Sequence, residues 1–295
     1  MSQAHQATPA PDLRNALNYD GKRVIVTGAA SGIGAATTEL LVGLGAEVHA
    51  ADLRESPIPG VAQCHSIDLT DDGQVTDIVD AIGGEINALF NCAGVPGTFD
   101  PQQILAVNFI GMRLLTENVL GRMPSGSAIC CIGSTSGVSW QRHIALLTEL
   151  LDTEDAPSAR AWGLENLDRG GYPYDFSKEA VNAYVARRGI TAIGSKIRLN
   201  AINPGGTKTA ATRDFTKVMK EKDGGIEMLQ NYPRLLGRLA NPVEQAWPMV
   251  FLNSPLASFV NGTSLFVDAG LTGGLFTEQY DPAVAKGMRW QSLSP

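Results

Sequence analysis

At 295 residues the chain has room for one large α/β domain or two small ones. Its 44% apolar and 18% charged composition, with 32 glycines, suits a well-buried core. The net charge of −7 argues against nucleic acid or an anionic membrane surface as partner, and no apolar run reaches the roughly 18 residues of a membrane span. Met1 to Leu17 has neither a basic start nor an apolar core, so residues 1–20 read as a mobile tail rather than a signal peptide, and a cytoplasmic location is expected.

In chain order, Val24-Ile25-Val26 runs into Thr27-Gly28, with further glycines at 32 and 34 and a helical pattern from Ala35 to Gly45. That is a buried strand, a tight turn and the exposed N-terminus of a helix. The first N–H groups of a helix have no partner inside it, its dipole favours negative charge, and glycines let a pyrophosphate approach the backbone. A second apolar run, Glu47 to Ala51, ends in Asp52, 18 residues after Gly34. A dinucleotide-binding βαβ unit places there the carboxylate that grips the adenosine ribose. His65 to Thr70 reads as a third strand end, with Thr70 expected to cap a helix through Ile82. Ile86 to Asn91 is a fourth strand, closed by Cys92-Ala93-Gly94. Ile104 to Leu120 has helical period, Ser127 to Ile132 is a fifth strand, and Tyr174 to Arg188 is a helix. Ile197 to Ile202 and Ser264 to Asp268 complete seven strands.

This alternation predicts the α/β class: a single Rossmann-like, doubly wound parallel seven-stranded sheet with helices on both faces. Such sheets bind ligands beyond the carboxyl ends of their strands, here marked by Gly28, Asp52, Asp68, Asn91, Ser134 and Pro204-Gly205. No repeat or linker divides the chain, so residues 21–275 read as one domain and 276–295 as a C-terminal tail. Cys64, Cys92, Cys130 and Cys131 have no metal-ligand spacing and the four histidines form no cluster. Reduced, buried thiols and no metal are expected, and Asn261-Gly-Thr263 is a chance match to a glycosylation acceptor.

The chemistry sits in the second half, where Tyr174 and Lys178 stand at i and i+4 on one helix face. A free phenol titrates near 10 and is a poor base at neutral pH, but an ammonium one turn away favours the phenolate. With these residues in view, the chain resembles the short-chain dehydrogenases/reductases from about Gly21 to Gly270. Gly28, Ser31, Gly32, Ile33 and Gly34 fall in a segment similar to the family's cofactor turn. Asn91-Cys92-Ala93-Gly94 resembles its Asn-Asn-Ala-Gly motif, with Cys92 in place of the second Asn. Asn108, Ser134, Tyr174 and Lys178 follow the order of its catalytic tetrad. Asp68-Leu69 resembles the adenine-contacting pair, and Pro204-Gly205-Gly206-Thr207-Lys208-Thr209 the segment that contacts the nicotinamide amide.

The resemblance implies roles. Tyr174 is the general base, Lys178 lowers its pKa and holds the nicotinamide ribose, Ser134 bonds the substrate oxygen, and Asn108 completes a water-mediated proton path. The family usually shows two serines at the end of the fifth strand; Gly133 stands in place of the first, and Ser136 is a rival to Ser134. Asp52, followed by Leu53, favours NAD(H) by repelling a 2′-phosphate, with Ala30 where phosphate-preferring relatives carry a basic residue. Arg54 either softens that preference or covers the adenine pocket.

Two departures stand out. Between Ser134 and Tyr174 lie 39 residues, which read as one or two amphipathic helices within 137–171, and the stretch from Gly94 to Asn108 is short. Both resemble the bacterial 3α-hydroxysteroid dehydrogenase/carbonyl reductase subgroup, which includes coniferyl alcohol dehydrogenase-like enzymes. The insertion is expected to flank the pocket with Trp140 or Trp162, or to cover a subunit interface. Residues 207–236 are expected to form a substrate lid carrying Phe215, Met219, Met228, Leu229 and Tyr232, with Gly224-Gly225 as a hinge. The functional expectation is an NAD(H)-dependent oxidoreductase acting on a bulky apolar secondary alcohol or its ketone, assembled as a homodimer or homotetramer. The alternatives are a catalytically silent dinucleotide-binding regulator and, less well matched, a sugar-nucleotide epimerase.

Overall fold

Short apolar runs form seven parallel strands: β1 (Arg23–Thr27), β2 (Glu47–Asp52), β3 (Gln63–Ser66), β4 (Ala88–Asn91), β5 (Ala128–Ile132), β6 (Arg198–Pro204) and β7 (Ser264–Val267). In the computed structural model, which describes residues 16–221, 226–227 and 234–279, they make one sheet of order β3-β2-β1-β4-β5-β6-β7. The winding reverses between β1 and β4, which opens a crevice beyond the carboxyl ends of these two strands. The helices are α1 (Gly32–Gly43), α2 (Asp72–Ile82), α3 (Pro101–Leu105), α4 (Met112–Leu120), α5 (Ile144–Leu151), α6 (Ala156–Asn166), α7 (Pro173–Ala192), α8 (Ala210–Lys220), α9 (Pro242–Asn253) and α10 (Leu271–Phe276). A π-helical turn, Ala106–Gly111, joins α3 to α4.

Both faces of the sheet are covered, so the strands carry apolar residues on both sides. Val24, Val26, Val48 and Phe90 pack against Leu41 of α1 and Met249 and Leu252 of α9. Ile25, Leu89, Ile129 and Leu199 point the other way, toward Val75 and Ile78 of α2, Leu115 of α4 and Val181 of α7. Among the described residues no helix is long and apolar enough to cross a membrane.

Three boundaries differ from the sequence reading. The tail does not extend to residue 20: Tyr19 is fully buried and its Oη donates to the Val250 carbonyl at 2.8 Å, because its ring completes the core against Phe90. Residues 1–15 and 280–295 lie outside the described residues. β3 ends at Ser66, ahead of Asp68 and Leu69. Asp71, not Thr70, caps α2 by accepting from the Gln74 N–H at 3.1 Å, since the Thr70 hydroxyl donates to Asp68 Oδ1 at 2.8 Å.

The long insertion forms α5 and α6, and both turn away from the crevice. Arg160 of α6 pairs with Asp72 at the start of α2 and donates to the Thr70 carbonyl at 3.1 Å. Trp162 stacks on Phe176 of α7 with ring centres 5.9 Å apart. Arg113 of α4 donates to Thr153 and to the Leu150 carbonyl. The insertion is thus bolted to α2, α4 and α7.

Candidate active site

A cavity of about 770 Å³ opens beyond the carboxyl ends of β1, β2, β4, β5 and β6. Its first wall is the turn from β1 into α1. Gly28 and Gly32 have φ of +66° and +58°, the left-handed region that favours glycine. A Cβ on Gly34 would sit 2.1 Å from the Gly28 carbonyl oxygen, and one on Gly28 would sit 2.8 Å from the Ala93 backbone. The turn is therefore closed on itself and against β4's exit, and only glycine fits. Thr27 Oγ1 ties the two together, accepting from the Cys92 and Ala93 N–H groups at 3.0 and 3.1 Å. The hydroxyl of Ser31, the N-cap residue of α1, makes no cap bond and accepts instead from Arg54 at 3.3 Å, which leaves the helix N-terminus uncapped by a side chain and facing the cavity.

At the end of β2 the Asp52 carboxylate accepts from the Ala30 and Arg54 N–H groups, each at 3.1 Å, which fixes it beside the glycine turn. Leu53, Asp68 and Leu69 line the next part of the wall. Asp68 Oδ1 accepts from the N–H and hydroxyl of Thr70, each at 2.8 Å, while the Asp68 N–H donates to Gln74 Oε1 at 3.0 Å. This end of the cavity fits a nicotinamide dinucleotide: a glycine cradle that any Cβ would fill, an uncapped helix start for the pyrophosphate, and a fixed carboxylate for the ribose.

The opposite wall comes from β5, α7 and β6. α7 begins at Pro173 and carries Tyr174 and Lys178 to the cavity. Lys178 is only 3% exposed; its Nζ donates to the Ile132 carbonyl at 3.0 Å and lies 5.9 Å from the centre of the Tyr174 ring. Burial pushes the Lys178 ammonium down to about 8, while the nearby Cys131 acts weakly the other way. Ser134 lies on the cavity wall in extended backbone, its Oγ accepting from the Ser136 N–H at 3.1 Å. Ser136 also lines the cavity. Ala93 and Gly94 on one side and Pro204, Gly205, Thr207 and Thr209 on the other close the middle, with Thr209 Cγ2 reaching to within 3.2 Å of a Cβ built on Gly32. Among the described residues no group of three His, Cys, Asp or Glu could hold a metal ion.

Two expected site residues stand behind this surface. The Asn91 amide points into the core and donates to Thr116 Oγ1 at 2.9 Å, because β4 pairs in a register that turns this residue toward α4. Asn108, in the π turn and 2% exposed, grips Val95 through both amide atoms, at 2.8 and 3.1 Å, and donates to Ser177 Oγ at 3.2 Å. Its Oδ1 would lie 3.2 Å, and Lys178 Nζ 3.6 Å, from a Cβ on Gly94, so it sits directly beneath the lysine's end of the cavity. Neither asparagine lines the cavity itself.

Phe99, Gln103 and Tyr172 contribute cavity surface that the sequence did not single out. Tyr172 Oη donates to the Gly97 carbonyl at 2.8 Å, pinning the short segment after Gly94. The adjacency of Tyr172 to Pro173 and Tyr174 was the available signal. Phe215 and Met219 of α8 line the cavity. Gly224, Gly225, Met228, Leu229 and Tyr232 lie outside the described residues. Neither Trp140 nor Trp162 lines the cavity, so of the two expectations for the insertion the pocket wall is not met: Trp162 is held by Phe176 and Trp140 packs at the edge of the core.

Comparisons with known proteins identify the family. Residues 22–146 match the short chain dehydrogenase model, and residues 164–272 match the model described as enoyl-(acyl carrier protein) reductase. The chain is 30% identical over 256 residues to coniferyl-alcohol dehydrogenase of a Pseudomonas species, covering 86% of this chain and 98% of that one. It is 26% identical over 264 residues to 3-alpha-hydroxysteroid dehydrogenase/carbonyl reductase of Comamonas testosteroni, covering 87% and 99%. Among solved structures, the 3-alpha-hydroxysteroid dehydrogenase from Pseudomonas sp. B-0831 complexed with NADH matches with a TM-score of 0.70 and 28% identity, covering 88% of this chain and all of that one. The chain belongs to the short-chain dehydrogenase family of oxidoreductases.

Proposed function

We propose that this oxidoreductase interconverts a bulky apolar secondary alcohol and its ketone, a hydroxysteroid-like or aromatic alcohol, with NAD(H) as cofactor. The observation that carries the reading is Lys178, a buried ammonium held 3.0 Å from the Ile132 carbonyl and 5.9 Å from the Tyr174 ring on the cavity wall. The start of α1 with Gly28 to Gly34 holds the pyrophosphate, Asp52 the adenosine ribose, Asp68 and Leu69 the adenine, and Gly94, Pro204, Gly205, Thr207 and Thr209 the nicotinamide end. When bound, NAD(H) supplies the hydride transfer.

The chain's own groups handle the proton. Lys178, largely protonated at neutral pH, stabilises the Tyr174 phenolate across one helical turn and bonds the nicotinamide ribose. Tyr174 takes the alcohol proton on oxidation and returns it on reduction. Ser134 donates to the substrate oxygen and orients it toward Tyr174. Asn108, beneath Lys178, fixes Val95 and completes the proton path to solvent. Phe215 and Met219 of α8 act as a lid over an apolar ligand and exclude water.

A catalytically silent sensor is disfavoured by Tyr174 beside Lys178 on the cavity wall, a phenol that cofactor binding alone would not need there. The reducing cytoplasm suits four cysteines that form no disulfide, and cell fractionation checks that location. Homo-oligomers are expected through the apolar surface of α9, β7 and the segment between them, where Trp247, Phe251, Phe259 and Phe266 are exposed. The deciding experiment is an initial-rate screen of steroid and aromatic alcohols with NAD⁺, followed by NADH absorbance. Tyr174→Phe should lower kcat by orders of magnitude while NADH still binds; near-normal turnover in that variant refutes the mechanism.

A further inference from the structure

The end of β5 supplies three groups in succession: the Ile132 carbonyl that anchors Lys178, then Gly133, then Ser134. What holds this short run in place comes from the neighbouring strand. Gly133 N–H donates to the Ile202 carbonyl at 2.8 Å, the last rung of the β5–β6 ladder. One residue further, the backbone has left the ladder, and the Ser134 N–H donates at 3.0 Å to Oδ1 of Asn203. Asn203 is 1% exposed and does not line the cavity.

The fit at this point is close. A Cβ on Gly133 would lie 2.1 Å from Asn203 Oδ1 and 2.9 Å from Asn182 Oδ1, so the asparagine carbonyl fills the volume that any side chain at 133 would need. Asn182 braces the same loop further on, its Nδ2 donating to the Gly137 carbonyl at 2.9 Å while its Oδ1 accepts from Ser264 at 3.0 Å. Asn203 Nδ2, by contrast, is buried with no hydrogen-bond partner among the described residues. An orphaned buried donor is destabilising, so packing alone does not account for an asparagine here; its acceptor oxygen does.

We propose that Asn203 is a positioning residue for Ser134, and that Gly133 and Asn203 work as a pair in which an acceptor reaching over from β6 occupies the place of a side chain at 133. The proposal rests on the reading above that Ser134 holds the substrate oxygen. Loss of the acceptor frees the Ser134 backbone without touching the cofactor cradle or Tyr174.

Four variants test this: Asn203→Leu, which keeps the volume and removes the acceptor; Asn203→Asp, which keeps the acceptor; Gly133→Ser alone; and Gly133→Ser combined with Asn203→Ala. Each is compared with wild type for kcat on an alcohol found by the screen, for NADH affinity by fluorescence, and for amide exchange of the peptide spanning residues 130–138 with NADH bound. Displacing a catalytic hydroxyl by a fraction of an ångström to an ångström costs roughly 10- to 100-fold in rate, so Asn203→Leu should lose about that much in kcat. Its NADH affinity should stay within about two-fold and residues 133–137 should exchange faster. Asn203→Asp should retain more activity than Asn203→Leu, and Gly133→Ser should be better tolerated with Asn203→Ala than alone. A Leu variant with wild-type kcat and protection, or Leu and Asp variants that fall alike, overturns the proposal. If the wild type oxidises no alcohol in the screen, the reading of function fails instead, and the exchange rates alone decide whether Asn203 holds Ser134.

Discussion

Lys178→Met separates stability from activity at one atom. In the unfolded chain a lysine titrates at 10.5; in the fold, burial brings Lys178 down to about 8. That difference corresponds to roughly 3 kcal/mol of destabilisation wherever both states carry the proton, which is at and below neutral pH. Methionine has a similar apolar stem and no charge to desolvate. It forfeits the 3.0 Å bond to the Ile132 carbonyl, worth about 1 kcal/mol net. The Met variant should therefore be more stable than wild type by roughly 2 kcal/mol at pH 7, a rise in Tm of about 5 °C for a domain of this size. Between pH 8 and 10.5 the unfolded wild type binds more protons at this position than the folded one, so wild-type stability climbs with pH across that window. The Met variant lacks this increment of roughly 3 kcal/mol, so its advantage is full below pH 8 and turns into a deficit of about 1 kcal/mol above 10.5. Urea unfolding of the cofactor-free protein at pH 7 and pH 10 measures both terms, and turnover with NAD⁺ should be lost throughout. A Met variant less stable than wild type at pH 7, or a gap unchanged at pH 10, refutes the argument.

Asp52→Ala should narrow the preference for NAD⁺ over NADP⁺ by about 100-fold, the order of a like-charge repulsion between partly solvated groups; wild-type kcat/KM equal for the two cofactors refutes this. Because Asp52 also fixes the Ala30 and Arg54 N–H groups, the KM for NAD⁺ should rise in the same variant. Light scattering should give a mass at least twice the 31.2 kDa of one chain, and a monomer at micromolar concentration removes the proposed interface. Limited proteolysis should cut α8 more slowly once NADH and substrate are bound; unchanged cleavage there sinks the lid.

What was legible in the sequence was local. The glycine turn, Asp52 at a strand end and the Tyr174–Lys178 pair depend on spacings within one or two elements, and the structure brings all of them to one cavity. What was not legible depends on which way a side chain faces once strands have paired. Asn91 ends β4 as expected, but the register that aligns it with Thr27 and Cys131 turns its amide toward Thr116. Thr70 has the chemistry of a cap, yet Asp68, two residues earlier, takes its hydroxyl and leaves the cap to Asp71. Trp162 sits on a helix whose composition suggests pocket or interface, and its stacking on Phe176, a ring partner on another helix, keeps it off the cavity wall. Asn203 looks like an ordinary strand residue before Pro204; only the glycine 70 residues earlier, at 133, explains its oxygen, and no local pattern links the two.

The insertion shows how residues far from the chemistry still set its geometry. Arg160 of α6 holds the Thr70 carbonyl and Asp72, immediately after the Asp68-Leu69 surface, while two residues on Trp162 lies flat on Phe176 of the helix that carries Tyr174 and Lys178. Gly163, next in line, packs against Leu105, and its carbonyl accepts from Gln102 at 3.1 Å, just ahead of the π turn that places Asn108. One helix thus braces the Asp68-Leu69 surface, the π turn and the helix of Tyr174 and Lys178 without lining the cavity. The walls outside the cofactor half come instead from the short segment after Gly94 and from α8, with Phe99, Gln103, Phe215 and Met219. If the proposed function holds, substitutions in those two segments should shift substrate preference, and substitutions within the insertion should not.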